Sequence, residues 1–155
     1  VVDRGANRLL RNLKGARGAS TVLDLGVIGD DASAVEHDSE ITVGELATIH
    51  ELGLGVPERP WLRGYIEANR GKIEERIREE ARRMITVGAT RDQVLERLGV
   101  WLQGEIQEWI GNPGNNLAPN APETILRKGS AMPLIDTGQF RSSITYKVRS
   151  AAEGG

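Results

Sequence analysis

The chain has no cysteine, which removes disulfides, thiolate catalysis and Cys-ligated zinc or iron–sulfur centres in one step. Histidine occurs only at His37 and His50, a poor basis for a histidine-built metal centre. The one start of a zincin-like motif, His50-Glu51, has Leu54 where a second ligand one turn away would have to stand. No stretch approaches the roughly 18 consecutive apolar residues that a membrane-spanning helix requires. Residues 1–20 carry charge throughout instead of the apolar centre of a signal peptide. The expectation is therefore a protein of the aqueous cytoplasm, or of something assembled there, without a membrane partner. A P-loop Gly-Lys-Ser/Thr is missing, and Gly26-Val27-Ile28-Gly29 lacks the third glycine of a dinucleotide fingerprint, so no cofactor is expected. Aromatic residues are few, with three Trp, two Tyr and one Phe.

Basic residues are absent from one long block. Residues 18–58 contain nine acidic side chains and no Lys or Arg. Residues 1–17 carry five basic groups against Asp3, residues 59–99 ten basic against seven acidic groups, and residues 100–155 balance at five each. The net charge is only −2, so this is segregation and not excess. A duplex DNA reader needs a net basic surface, whereas separated blocks of opposite sign suit subunits that dock head to tail. The acidic residues Asp30, Asp31, Glu36, Asp38 and Glu40 lack the Asp-x-Asp-x-Asp-Gly order of a calcium loop, and a solvated loop is the plainer reading.

What is present is an α+β pattern on 155 residues, a length that suits one domain spanning 1–155. Residues 3–14 place Ala6, Leu9, Leu10 and Leu13 at helical spacing. Ser20–Ile28 is aliphatic and β-branched and stops at Gly29-Asp30, so it reads as a strand, with an acidic loop to Glu40. Thr42-x-x-Glu45 and Thr90-x-x-Gln93 are capping boxes, each predicting a helix start. Gly53 ends the first helix, and Val56-Pro57-Glu58-Arg59-Pro60-Trp61 predicts an extended, proline-stiffened crossing. From Trp61 to about Val87 one long helix is expected, with Ile66, Ile73, Ile77, Ala81 and Met84 forming its apolar stripe. A turn at Gly88-Ala89 joins it to a second helix carrying Leu95, Leu98, Leu102, Ile106 and Trp109, making a long antiparallel hairpin. Trp61, Trp101 and Trp109 read as core or interface anchors.

Residues 111–133 contain four of the six prolines and read as a long extended loop, with one possible helical turn at Glu123–Lys128. Ser143–Arg149, with Ile144, Tyr146 and Val148 alternating, is the last strand. Two strands cannot bury both faces alone. Either the acidic region hides another strand or neighbouring subunits complete the small sheet.

Leu134-Ile135-Asp136-Thr137-Gly138 spells the catalytic loop of an aspartic protease. A half-site of that kind needs a second carboxylate, hence a dimer, together with a flap and further strands. Only 19 residues follow Asp136, and Gln139 and Phe140 stand where small residues are required. Asp136 with Gln139 reads instead as a third capping box for one helical turn, and a small dimeric protease using Asp136 remains the enzymatic alternative. A nucleic-acid-binding assembly factor is the other competing class.

Two groups of motifs then resemble a known family. Ala47-Thr48-Ile49-His50-Glu51-Leu52-Gly53 followed by Val56-Pro57-Glu58-Arg59-Pro60-Trp61 makes one group. Leu126-Arg127-Lys128-Gly129-Ser130 with Pro133-Leu134-Ile135-Asp136-Thr137-Gly138-Gln139-Phe140-Arg141-Ser142-Ser143-Ile144 makes the other. In this order and spacing, over about residues 41–148, they resemble the virion-morphogenesis and tail-completion proteins of tailed bacteriophages. The acidic insert at 30–40 has no counterpart there.

The resemblance implies a structural neck or tail protein of the virion, with no catalytic residues and no cofactor. It implies a homo-hexameric ring, or a dodecamer where the partner is portal-like, that joins the tail tube to head-closure and connector proteins. Arg59, Pro60 and Trp61 would fix the crossing against the core, and Asp136, Thr137, Gly138, Gln139 and Arg141 would shape the entry to the last strand. The 111–133 loop would reach a neighbour, while the acidic block would line a channel through which genomic DNA passes without sticking.

Overall fold

The computed structural model describes residues 21–35, 41–115, 117–120, 122, 126 and 138–150. The expected helix at 3–14 lies outside them, as do residues 116, 121, 123–125 and 127–133 of the 111–133 loop and, with these, all but Leu126 of the turn expected at Glu123–Lys128. The fold is α+β: a two-stranded antiparallel sheet packed on helices. Among the described residues, no helix is long and apolar enough to cross a membrane.

Strand β1 (Thr21–Val27) pairs with β2 (Ile144–Ser150) in a register that sets Val27 against Ile144, Leu25 against Tyr146 and Leu23 against Val148. Side chains alternate along a strand, so these six residues share one face. Helix α1 is a single turn, Asp30–Ser33, where the sequence predicted only loop. The isolated bridge Val35–Thr42 then leads into α2 (Val43–Leu52). The Thr42 capping box forms as expected: the Glu45 amide donates to Thr42 Oγ1 at 3.2 Å, and the Thr42 amide donates to Glu45 Oε2 at 2.9 Å. Gly53 ends α2 in the left-handed region at φ 67°, where glycine alone carries no Cβ penalty.

The expected single helix from Trp61 to Val87 is two helices, α3 (Arg63–Ala68) and α4 (Arg70–Thr86). Asn69 separates them at φ −116°, ψ 18°. Its side-chain amide and its backbone amide both donate to the Tyr65 carbonyl, at 2.9 and 3.0 Å, so the break is one of backbone angles with the bond kept. Helix α5 (Arg91–Gly111) starts at the Thr90–Gln93 capping box. It runs antiparallel to α4, since contacts from Lys72 to Glu105, Arg76 to Trp101 and Glu80 to Arg97 descend along α5 as they climb α4.

The apolar stripe predicted for this hairpin forms its seam only in part. Ile66, Ile77 and Ala81 are exposed, the first two at 41% and 47%, whereas Ile73 packs against the core and Met84 is half-buried; the one buried residue of α4 is Glu80. The reason is tertiary: α5 presents Trp101, Arg97 and Glu105 to α4, so the packing face of α4 is the one carrying Lys72, Arg76 and Glu80. Helix α5 spends its apolar residues elsewhere. Val94, Leu98, Ile106 and Ile110 are buried, and α5 packs against both strands. Gly99 is buried beneath Tyr146, and a Cβ built there would overlap the Tyr146 ring.

The core gathers Val43 and Ala47 of α2, Trp61, Tyr65 of α3, Ile106 and Ile110 of α5, Phe140 and Ile144. Full burial of a side chain such as Ile106 or Ile110, both 0% exposed, contributes about 1.5–3 kcal/mol each.

Candidate functional site

Several described residues of the two motif groups meet in one place, around Trp61 and Phe140. Arg59 and Trp61 are 5% and 3% exposed, although both stand in a segment with no regular structure. Pro57 and Pro60 flank Arg59, and the crossing is not extended throughout as expected: it turns tightly at Pro60, where the Trp61 amide donates to the Arg59 carbonyl at 2.7 Å. The preceding helix then fixes it. The Arg59 amide donates to the His50 carbonyl at 2.7 Å, and the Trp61 indole Nε1 donates to the Ala47 carbonyl at 3.1 Å. The Glu51 carboxylate accepts from the Leu62 and Arg63 amides, both at 3.0 Å, supplying the cap that α3 lacks locally.

The Arg59 guanidinium reaches the other way. Its Nε donates to the Ala118 carbonyl at 2.7 Å, Nη2 to the Pro119 carbonyl at 3.0 Å, and Nη1 to His50 Nδ1 at 3.1 Å. Since arginine only donates, His50 accepts on Nδ1 and carries its proton on Nε2. Burial pulls the Arg59 pKa below its ordinary value, yet arginine keeps its charge. Its fork of donors ties residues 118–119 to the crossing, with His50 as the third point of the clamp. Among the described residues, no group of three or more His, Cys, Asp or Glu could hold a metal ion.

On the far side, Phe140 packs edge to face on Trp61, with centroids 5.3 Å apart and planes at 88°. Phe140 belongs to α6 (Gln139–Ser142). Asp136 and Thr137 lie outside the described residues, and the capping box expected of Asp136 with Gln139 is corrected by the position of this helix. Its N-cap residue is Gly138, at φ 74° and without a side-chain cap bond. Gln139 is thus the first helical residue, too early to close a box, and its Nε2 donates to the Val35 carbonyl at 3.2 Å. Arg141 is exposed, and its Nη1 would lie 3.1 Å from a Cβ at Gly111. Its positive charge therefore sits by the C-terminal end of α5, where the helix dipole favours it. Pro60 is half-buried and its carbonyl accepts from the Gly64 amide at 2.8 Å.

A second polar cluster went unnoticed in the sequence. Glu80, 1% exposed, accepts from Arg97 Nε at 2.8 Å and pairs with Arg76 Nη2 at 3.0 Å and Arg83 Nε at 3.5 Å. The Arg97 hydrogen bond leads the causes that hold its carboxyl below the usual range. The available signal was the placement of Arg76 and Arg83 at i−4 and i+3 from Glu80, combined with a hairpin register that brings Arg97 opposite. Trp101 stacks under Lys72 and Arg76 in the same seam, each 5.8 Å from its centroid. Burial, helped by Glu105, raises the Tyr65 hydroxyl's pKa.

These groups have the character of ties between chain segments. No protein-family model, curated protein or solved structure matches this chain.

Proposed function

We propose that this chain is a structural protein of the neck or tail of a tailed-bacteriophage virion, assembled in the host cytoplasm. It forms a homo-hexameric ring, with a dodecamer as the alternative, that completes the tail and joins it to head-closure and connector proteins. No cofactor and no catalysis enter this reading.

The supporting observation is the Trp61–Phe140 contact. The two motif groups that carry the resemblance stand some 80 residues apart, and they meet ring to ring in the core. Within the first group, Ala47, His50 and Glu51 each accept a hydrogen bond from the Arg59–Arg63 segment. Residues so engaged are explained by architecture, as a structural component requires. A sheet of two strands among the described residues also suits a subunit whose neighbours cover it.

The test is the copy number of this chain in purified particles relative to the tail tube protein, with a single hexameric ring as the expected result. A chain absent from particles would overturn the reading. Asp136→Asn separates it from the protease alternative, because a carboxylate dyad loses all turnover on that change whereas ring assembly is expected to persist.

A further inference from the structure

The Arg59 clamp includes a titratable acceptor. Nη1 of Arg59 lies 3.1 Å from His50 Nδ1, while Nε and Nη2 of the same guanidinium bond the Ala118 and Pro119 carbonyls. Arg59 is buried, and His50 is half-buried near the end of α2. The contact holds only while the ring is neutral, because an imidazolium carries a proton on both nitrogens and has nothing left to accept with. Protonation would also set two cations in direct contact beside a buried guanidinium, where little water screens them. The described carboxylates of α2 and the crossing are engaged elsewhere: Glu45 with the Thr42 amide, Glu51 with the Leu62 and Arg63 amides, and Glu58 with the Arg63 side chain. Residues 117–120 carry no charge.

We propose that His50 is an acid-operated release for the chain segment at residues 117–120. At neutral pH the ring is the third point of the clamp. A proton on Nδ1 turns that point from an acceptor into a repelling charge, and a guanidinium that withdraws takes its bonds to the Ala118 and Pro119 carbonyls with it. The open form exposes the imidazole to water, where a histidine takes up a proton at about pH 6.5. It therefore binds that proton more tightly than the closed form does, and acidification drives opening. With the proton confined to the open form, the opening equilibrium gains ~10-fold between about pH 7.5 and about pH 5.5. Carboxylates ordinarily stay ionised across that interval, which leaves His37 and His50 as the side chains whose ordinary range it covers. Leu117 is 8% exposed in the closed form, so its accessibility reports the release.

The test is cleavage of the full chain at Leu117 by a leucine-directed protease, with rates normalised at each pH to a peptide spanning residues 111–122. Cleavage of a transiently opened segment tracks the open population when reclosing is fast. Wild type is expected to be cut ~10-fold faster at about pH 5.5 than at about pH 7.5. His50→Asn places an amide oxygen at the δ position, which accepts as Nδ1 does but takes up no proton in this range. Its rate is expected to stay at the neutral wild-type level throughout, while His37→Asn should respond as wild type does. A His50→Asn variant as pH-sensitive as wild type, or a wild type whose rate does not change, would overturn the inference. If His50→Asn misfolds, nitrogen NMR of the wild-type ring decides. The proton is expected on Nε2 at neutral pH, with Nδ1 taking one up in step with the rise in cleavage. A proton already on Nδ1 at neutral pH, or cleavage that rises without that uptake, would equally sink the proposal. None of these outcomes depends on whether the chain is found in virions.

Discussion

Trp61 and Phe140 meet edge to face, 5.3 Å between centroids, and this contact joins the proline-stiffened crossing to the helical turn that feeds the last strand. Trp61→Ala is expected to destabilise the fold by about 3–5 kcal/mol, since it also strands the Ala47 carbonyl that the indole N–H serves. A double-mutant cycle with Phe140→Ala, read by urea unfolding, should give a coupling of ~0.5–1.5 kcal/mol. Strict additivity would mean that the rings are neighbours without being partners.

Arg59→Lys keeps the charge and loses the fork. A lysine cannot bond the Ala118 and Pro119 carbonyls and His50 Nδ1 together as the guanidinium does. The expected loss is about 1.5–3 kcal/mol, accompanied by faster proteolytic cleavage near residues 117–120. Unchanged cleavage there would show that the clamp on this segment lies elsewhere.

Glu80 ties pH to stability. Its folded pKa is depressed by Arg97 first, with Arg76 and Arg83 adding to the effect against the opposing cost of desolvation. A depressed carboxylate adds stability that is fully present above about pH 4.3, the unfolded value, and is lost as pH falls from there through the lowered folded one. Glu80→Gln should therefore unfold more easily than wild type at neutral pH, by about 1–2 kcal/mol, at the low end because the arginines still reach water. Its deficit should shrink on acidification. Parallel stability curves for the two proteins across that range would count against a charged Glu80 in the seam.

Gly99→Ala sets two effects against each other. Alanine favours a helix over glycine by about 1 kcal/mol, while overpacking beneath Tyr146 costs about 1–3 kcal/mol. The overlap of a Cβ with the ring makes overpacking win, so thermal unfolding should shift downward. In a Tyr146→Ala background the same change should turn stabilising, by about 1 kcal/mol. No reversal of sign would mean that the ring moves aside without strain.

What was legible in the sequence was decided within a few residues of itself. The capping boxes at Thr42–Glu45 and Thr90–Gln93 close over a span of three, and Gly53 and Gly88 hold positive φ at the expected ends. Such bonds depend on local chain geometry, so residue type at fixed spacing suffices. The strands were equally plain, because alternation in Ile144, Tyr146 and Val148 shows which side chains share a face.

The α4 stripe illustrates the opposite case. Ile66, Ile77 and Ala81 share the periodicity of a buried face yet are exposed, because periodicity says only which residues lie together and not what lies against them. That choice belonged to α5, whose Trp101 and Arg97 drew Lys72, Arg76 and Glu80 into the seam. The entry to the last helical turn was misjudged for a related reason: the αL position of Gly138 sets where the turn starts, and Gln139 is drawn to Val35 from a distant part of the chain.

By itself, then, the sequence determined the α+β class, the capped starts of α2 and α5, the end of α2 at Gly53 and the placing of both strands, because short-range hydrogen bonds and side-chain alternation need no partner. The tertiary structure decided which helix faces are buried, that Glu80 lies in the hairpin seam, and that Trp61 finds Phe140. These depend on contacts between residues far apart in the chain, and only the folded packing supplies the opposing surface.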